Sequence, residues 1–312
     1  MTRQQAFTGN GKLLKGNLHC HTTRSDSSAT PEETLRIYAE HGYDFVAFTD
    51  HRIYNLRQYA PETGVLVIPG MEMDRDLYNE SGRCFHTVFI GPEKEKGNGF
   101  EQDERFPTDS VEGQADYSEK ILRDVYAKNN MVIYAHPEWS CTPSVAFDKM
   151  EGIFAMGIWN TICSMEWACD RNAYGWDDIL RQGRKIWGVA SDDAHDPKYM
   201  AHGWVCVNAE KNVDSILKAL REGAFYSSCG PEIYDFTVDD SAIHLKCSPV
   251  SEIRFISDML FPRIKTGEGI TEVTLELTPP NWINTDRLKE HYIRAEITDA
   301  EGKRAWTNPI FL

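Results

Sequence analysis

From Lys15 onward the chain alternates short apolar runs with amphipathic stretches, and the runs repeatedly end in a polar residue able to bind a metal. That rhythm predicts strand–helix units. Strands are expected at Gly16 to Cys20, Phe45 to Thr49, Val65 to Pro69, Thr87 to Ile90, Met131 to Ala135, Gly152 to Trp159 and Ile186 to Ala190. A helix is expected after Thr30, which stands as N-cap before Pro31, with Glu33 near the capping-box place. Leu35, Ile37, Tyr38 and Ala39 form its apolar side, and Gly42 ends it. Tyr117 to Lys128 and Trp176 to Gln182 read as further helices. Between Gly91 and Ser110 the stretch EKEKGNGFEQDERF has no periodic apolar face and is expected as a surface loop or lid.

After Gly230 and Pro231 the texture changes. FTVDDSAIHLKC, EIRFIS, TEVTLELTP and YIRAEITDAEGKRAW alternate apolar and polar residues, with turn signals between them. This predicts antiparallel strands of a small β-sandwich. Upstream, the alternation favours a parallel α/β barrel. Two units are therefore expected, residues 1–230 and 231–312, and the chain shows no internal repeat or low-complexity tract.

Composition narrows this picture. The 312 residues are 41% hydrophobic and 26% charged, which excludes a largely disordered chain. A net charge of −15 repels a phosphate backbone, so the expected partner is a small substrate and not an extended nucleic acid. No apolar run has the length of a signal-peptide core or a membrane span, and the protein is read as cytoplasmic with no membrane partner. The eight cysteines include no Cys-x-x-Cys pair, as expected of reduced and mostly buried thiols.

The chemistry lies where the expected strands stop, which is where barrel enzymes build their sites. His19 and His21 stand two apart on a strand, so their side chains leave one face. Asp26 follows a short loop, Asp50 and His51 close the next strand, Glu72 follows the third, and His86 opens the fourth. His136 ends another strand, and Asp193 and His195, again two apart, end the last. A lone His or Asp at a strand end is usually a surface or hydrogen-bonded residue. Here six of the ten histidines fall at such ends, in an order that a barrel would bring to one rim. His41, His202, His244 and His291 have no such placement, and His41 suits a helix C-terminus.

The segments His19-x-His21 with Ser25-Asp26, Thr49-Asp50-His51, Pro69-Gly70-x-Glu72, His86, Ala135-His136-Pro137 and Ser191-Asp192-Asp193-Ala194-His195 resemble, in order, the motifs of the polymerase and histidinol phosphatase (PHP) superfamily. The resemblance covers about residues 15 to 230. LREGAFYSSCGPEI and WTNPIFL resemble its carbaryl-hydrolase-like branch, which ends in a small β domain. The resemblance implies a distorted (β/α)7 TIM-like barrel holding two or three divalent ions. Carried over by position, His19, His21, Glu72 and Asp193 would bind the first ion, and Glu72, His86 and His136 the second. Asp26, His51 and His195 would bind the third, with Glu72, Asp193 and His195 as catalytic residues. Asp26 stands where some members carry His, and Ser27 where Gly commonly follows.

This all-imidazole and carboxylate set suits Zn, Mn or Fe and disfavours a closed structural zinc site. Three carboxylates against three divalent ions leave about +3, an excess matched by a phosphate and a hydroxide. The expected activity is therefore hydrolysis of a small phosphomonoester or phosphodiester, such as a nucleotide or sugar phosphate, by a hydroxide held between ions. Arg24, Arg52 and Lys198 are candidate phosphate contacts. Asp50 and Asp192, each preceding a ligand, are candidates for orienting imidazoles. Trp139, Trp159, Trp167 and Trp176 read first as packing, with stacking against a ring the less common role. The alternatives are the same site acting on a carboxyl ester or carbamate, and a non-catalytic metal-binding module.

Overall fold

The structure is a computed structural model that describes residues 4–7, 13–77, 83–106, 121–142, 152–239, 241–260, 263–277 and 290–312. It is a mixed α/β protein with many strands and few helices. The first helix, α1 (Pro31–Glu40), forms where its caps predict. Thr30 accepts from the Glu33 amide, and the Glu33 side chain accepts from the Thr30 amide. Such a cap is worth about 1 kcal/mol. At the other end the His41 imidazole Nδ1 lies 2.8 Å from the Ile37 carbonyl, and Gly42 takes φ 74°.

The strands β2 (Leu14–Asn17), β3 (Phe45–Ala47) and β4 (Leu66–Ile68) pair in parallel, as do β7 (Met131–Tyr134), β8 (Ala155–Asn160) and β9 (Trp187–Ser191). Between these sets, β5 (Gly70–Leu77) and β6 (Arg83–Ile90) form an antiparallel pair, and β6 is antiparallel to β7. This departs from the parallel barrel expected. Only residues 78–82 separate β5 from β6, and a parallel crossover needs about a dozen residues. The strands fall into a sheet of twelve and a sheet of five, β5-β6-β7-β8-β9. Single bridges join the two sheets at the strand ends: Cys20 to Ala194 and His51 to Glu72, both parallel.

Beyond β9, β10 (Trp204–Val207), α5 (Val213–Glu222) and β11 (Phe225–Ser228) complete the first region; this strand–helix–strand unit was not anticipated. The C-terminal strands, expected as a separate sandwich, continue the twelve-stranded sheet. β16 (Arg304–Thr307) pairs with β11, and β15 (Tyr292–Thr298) joins β16 to the long β13 (Ala242–Ser257). The N-terminal β1 (Gln4–Gln5) also belongs here, pairing with β12 (Ile233–Val238). Trp306 and Tyr292 sit in one apolar cluster with Met156, Ile158 and Trp176, so the core crosses the sequence boundary at residue 230.

The junction is also bound electrostatically. Arg294 of β15 makes two 2.7 Å bonds to Asp177 of α4 (Asn172–Arg181) and lies 4.8 Å from the Trp176 ring; both charged residues are buried. All eight cysteines are free thiols. No described helix is long and apolar enough to cross a membrane. Of the expected lid, 107–110 lie outside the described residues, as do 117–120 of the expected helix; its remainder forms α2 (Leu122–Ala127).

Candidate metal centre

The strand ends are strapped together by backbone hydrogen bonds. The Asp193 amide donates to the His19 carbonyl, the His21 amide to Ala194, and the Glu72 amide to Thr49. Close strand approach is needed beside Glu72, where a Cβ on Gly70 would lie 2.6 Å from the Phe89 carbonyl oxygen. His136, Asp193 and Arg52 adopt positive φ of 27°, 54° and 57°. Side chains other than glycine avoid this region, at a cost on the order of 1–3 kcal/mol each. The surrounding fold overrides that preference at two candidate ligands and at the neighbour of a third.

All nine candidate ligands converge, in three interlocking groups. In the first, His19 Nε2 and His21 Nε2 each lie 3.2 Å from Glu72 Oε2, and 3.0 and 2.9 Å from Asp193 Oδ1. In the second, Glu72 Oε1 is 3.1 Å from His86 Nδ1 and 3.4 Å from His136 Nε2. The third contains Asp26, His51 and His195, and His21 as well, which the sequence did not place there. Asp26 Oδ2 lies 3.5 Å from His51 Nε2 and 3.3 Å from His195 Nε2. The first two groups are buried, whereas in the third Asp26 is exposed and His51 and His195 are half-buried.

The donor chemistry fits divalent cations. Three imidazole nitrogens, from His19, His21 and His51, stand 3.2 Å from Glu72 Oε2, yet that buried oxygen and His51 Nδ1 have no hydrogen-bond partner. Buried polar atoms are ordinarily satisfied, and a buried carboxylate oxygen faced by three imidazole nitrogens without a hydrogen bond is a donor set that a bound cation would satisfy. Burial alone would raise the Glu72 and Asp193 carboxyls. The neighbouring histidines reverse this, His19 foremost in both, and hold both groups well below the usual range. Burial lowers His136. It would lower His195 too, but the Asp26 bond and the Asp193 charge raise that imidazole to about 9.

Asp192 and Asp50 lie one position from ligands, but neither contacts an imidazole through a hydrogen bond. The Asp192 carboxylate accepts from Asn17, Tyr38, Thr161 and the amides of Ala201, His202 and Gly203. Asn17 in turn accepts from the His19 amide, so Asp192 fixes the backbone that carries the ligands. Asp50 accepts from the Thr22 amide and hydroxyl and from Ser25, bracing the loop that leads to Asp26.

Groups that touch the ligands directly were missed. Asn160 donates to Asp193 Oδ2 at 2.9 Å while its oxygen caps α3 (Thr161–Trp167) through the Cys163 amide. Ser140 Oγ lies 3.1 Å from His136 Nδ1. Asp74, two residues beyond Glu72 on β5, lies 3.4 Å from His51 Nδ1; the same two-residue spacing used for His19 and His21 would have found it. Ser140, four residues beyond His136 in an irregular turn, carries no such signal.

The groups open into a pocket of about 610 Å³. Arg24 and Arg52 line it. Arg24 is held by Asp103 and Asn55, and Arg52 Nε lies 3.1 Å from Asp74. Lys198 is not among the lining residues and pairs with Glu166 at 3.5 Å. Arg105, from the expected lid, does line the pocket and pairs with no carboxylate among the described residues. Trp139 and Trp167 form part of the wall, whereas Trp176 is wholly buried in the core.

No protein-family model matches the chain. Over 82 residues, a quarter of its length, it is 34% identical to phosphoribosyl 1,2-cyclic phosphate 1,2-diphosphodiesterase of Eggerthella lenta. The match spans 31% of that curated relative. Among solved structures it resembles a two-domain protein from Bacteroides vulgatus, described as containing a predicted PHP-like metal-dependent phosphoesterase. The TM-score is 0.50 at 14% identity, over 97% of this chain and 98% of that one. This likeness establishes a shared fold. An amidohydrolase from Chromobacterium violaceum matches with a TM-score of 0.41 at 14% identity, over 58% of this chain and 88% of that one.

Proposed function

We propose that the protein is a PHP-type metal-dependent phosphoesterase acting on a small phosphomonoester or phosphodiester in the cytoplasm. The observation that carries this is the nine-residue cluster, with its orphaned Glu72 oxygen, at the floor of a pocket bordered by arginines. We read the strands of the two bridged sheets that carry the cluster as the distorted (β/α)7 barrel of that superfamily within residues 1–230, and residues 231–312 as an appended β unit. The Eggerthella lenta relative, named as a cyclic phosphate diesterase, supports the bond type.

His19, His21, Glu72 and Asp193 would hold one divalent ion, Glu72, His86 and His136 a second, and Asp26, His51 and His195 a third, as Zn, Mn or Fe. When bound, such ions supply Lewis-acid stabilisation of phosphoryl oxygens and acidify water. Glu72 turns one oxygen to each buried group and so fixes their separation. Asp193 turns one oxygen to His19 and His21 and is held from behind by Asn160. His195 and Asp26 face each other at 3.3 Å in the third group, where a bound ion would stabilise the departing oxygen. Arg52 and Arg105 contact the phosphate, and Arg24 braces that wall; we assign Lys198 no substrate contact.

The test is a panel of phosphomonoesters, linear and cyclic phosphodiesters, carboxyl esters and carbamates, assayed with added Mn, Zn or Fe(II) and again with chelator. Metal-dependent release from phosphoesters is expected. Turnover confined to esters or carbamates would move the assignment to the carbaryl-hydrolase-like branch.

A further inference from the structure

The pocket is polarised along its length. Arg24 and Arg52 stand beside Asp26 and His51, and Arg105 pairs through its backbone with Ile53, so the cations border the third group. The His86 and His136 end is bordered by Trp139, whose ring lies 5.7 and 5.1 Å from those imidazoles. Trp167 packs edge-on against Trp139 at 5.8 Å, and Ile162 and Cys163 complete this wall.

Two features separate this wall from ordinary packing. Trp167 keeps 53% of its surface exposed although it lines a pocket that also holds the charged groups of the cluster. Leaving a large apolar group there has no folding benefit. The wall is also tied to the chemistry: the Asn160 side chain that caps the helix bearing Trp167 is the one that holds Asp193.

We propose that Trp139 and Trp167 form a subsite for a flat aromatic ring, so that the substrate is a phosphoester carrying an aryl or heteroaromatic group. This rests on the phosphoesterase reading and goes further by fixing the class of the organic part. Ring stacking on an aromatic side chain is sequence-tolerant and worth on the order of a tenfold gain in affinity. Trp139 also positions His86 and His136, whereas Trp167 touches neither, which makes Trp167 the cleaner site to alter.

The experiment uses the full chain loaded with Mn and measures binding by calorimetry of inorganic phosphate, methylphosphonate and phenylphosphonate, none of which is hydrolysed. Phenylphosphonate is expected to bind about tenfold tighter than methylphosphonate. Trp167→Ala should bring the two affinities together, Trp167→Phe should restore most of the difference, and Tyr174→Ala, an exposed aromatic outside this pocket, should leave it intact. Phosphate binding with equal phosphonate affinities, or a preference that survives Trp167→Ala, overturns the ring subsite alone. Absence of binding by all three anions overturns the subsite and the phosphoesterase reading together.

Discussion

The molecule buries carboxylates in two regions, in opposite ways. Asp177, under the C-terminal sheet, meets the Arg294 guanidinium in a bidentate pair sealed beneath Trp176, with Glu296 3.5 Å from the same arginine. Glu72 and Asp193, at the strand ends, meet imidazoles and, among the described residues, no arginine or lysine, with Asn160 holding Asp193 from behind, and one Glu72 oxygen is bonded to nothing. A closed pair neutralises itself and holds structure, whereas a cluster left short of positive charge is prepared for a ligand. Adjacent residues show the same contrast: Asp192 is saturated by six donors, and Asp193, the next residue, turns toward the cluster.

Substitutions can break this comparison. Glu72→Ala removes the residue shared by two groups and is expected to cut hydrolysis by more than about a thousandfold and to release metal, while the chain stays folded. Arg294→Ala should do the reverse. It strands a buried Asp177 and is expected to cost about 3–5 kcal/mol in denaturant unfolding, with metal per folded molecule unchanged. Replacing both partners with apolar residues, Asp177→Leu with Arg294→Met, should recover most of that loss. No paired apolar replacement at the cluster should recover hydrolysis.

Much of the site was legible because strand periodicity is strict. His19 and His21, and Asp193 and His195, announce a shared face by standing two apart, and Glu72 follows a Pro-Gly that brings two strands close. The residues that steady the ligands were not legible. Asn160 reaches Asp193 from a different strand, and Asp192 accepts from residues as distant as Asn17 and Gly203. β5 was not anticipated as a strand, and with it the antiparallel turn into β6 was missed; the short connection carried that information. The C-terminal alternation correctly marked strands, yet it says nothing about which sheet they join, and β16 settles onto β11.

Smaller effects sharpen the contrast. Asn160→Ala is expected to weaken metal affinity about 10–100-fold, and Ser140→Ala to fall at the lower end of that range, both read by competition with a chelator. The smallest effect concerns the third group in metal-free protein. His195 rises from 6.5 to about 9, so the stability it gains from Asp26 is complete below pH 6.5 and is lost as pH rises through 9. Urea midpoints of chelated wild type and His195→Gln should therefore differ at low pH and converge across that window.

The most direct test of the central claim is elemental analysis of the purified chain beside Glu72→Ala, each saturated with Mn, Zn or Fe(II) and freed of excess ion. Two or three ions per wild-type chain, with both buried groups emptied by Glu72→Ala, is the expected result. Wild-type protein that retains no stoichiometric ion, or a Glu72→Ala variant that retains the full complement, would contradict the account.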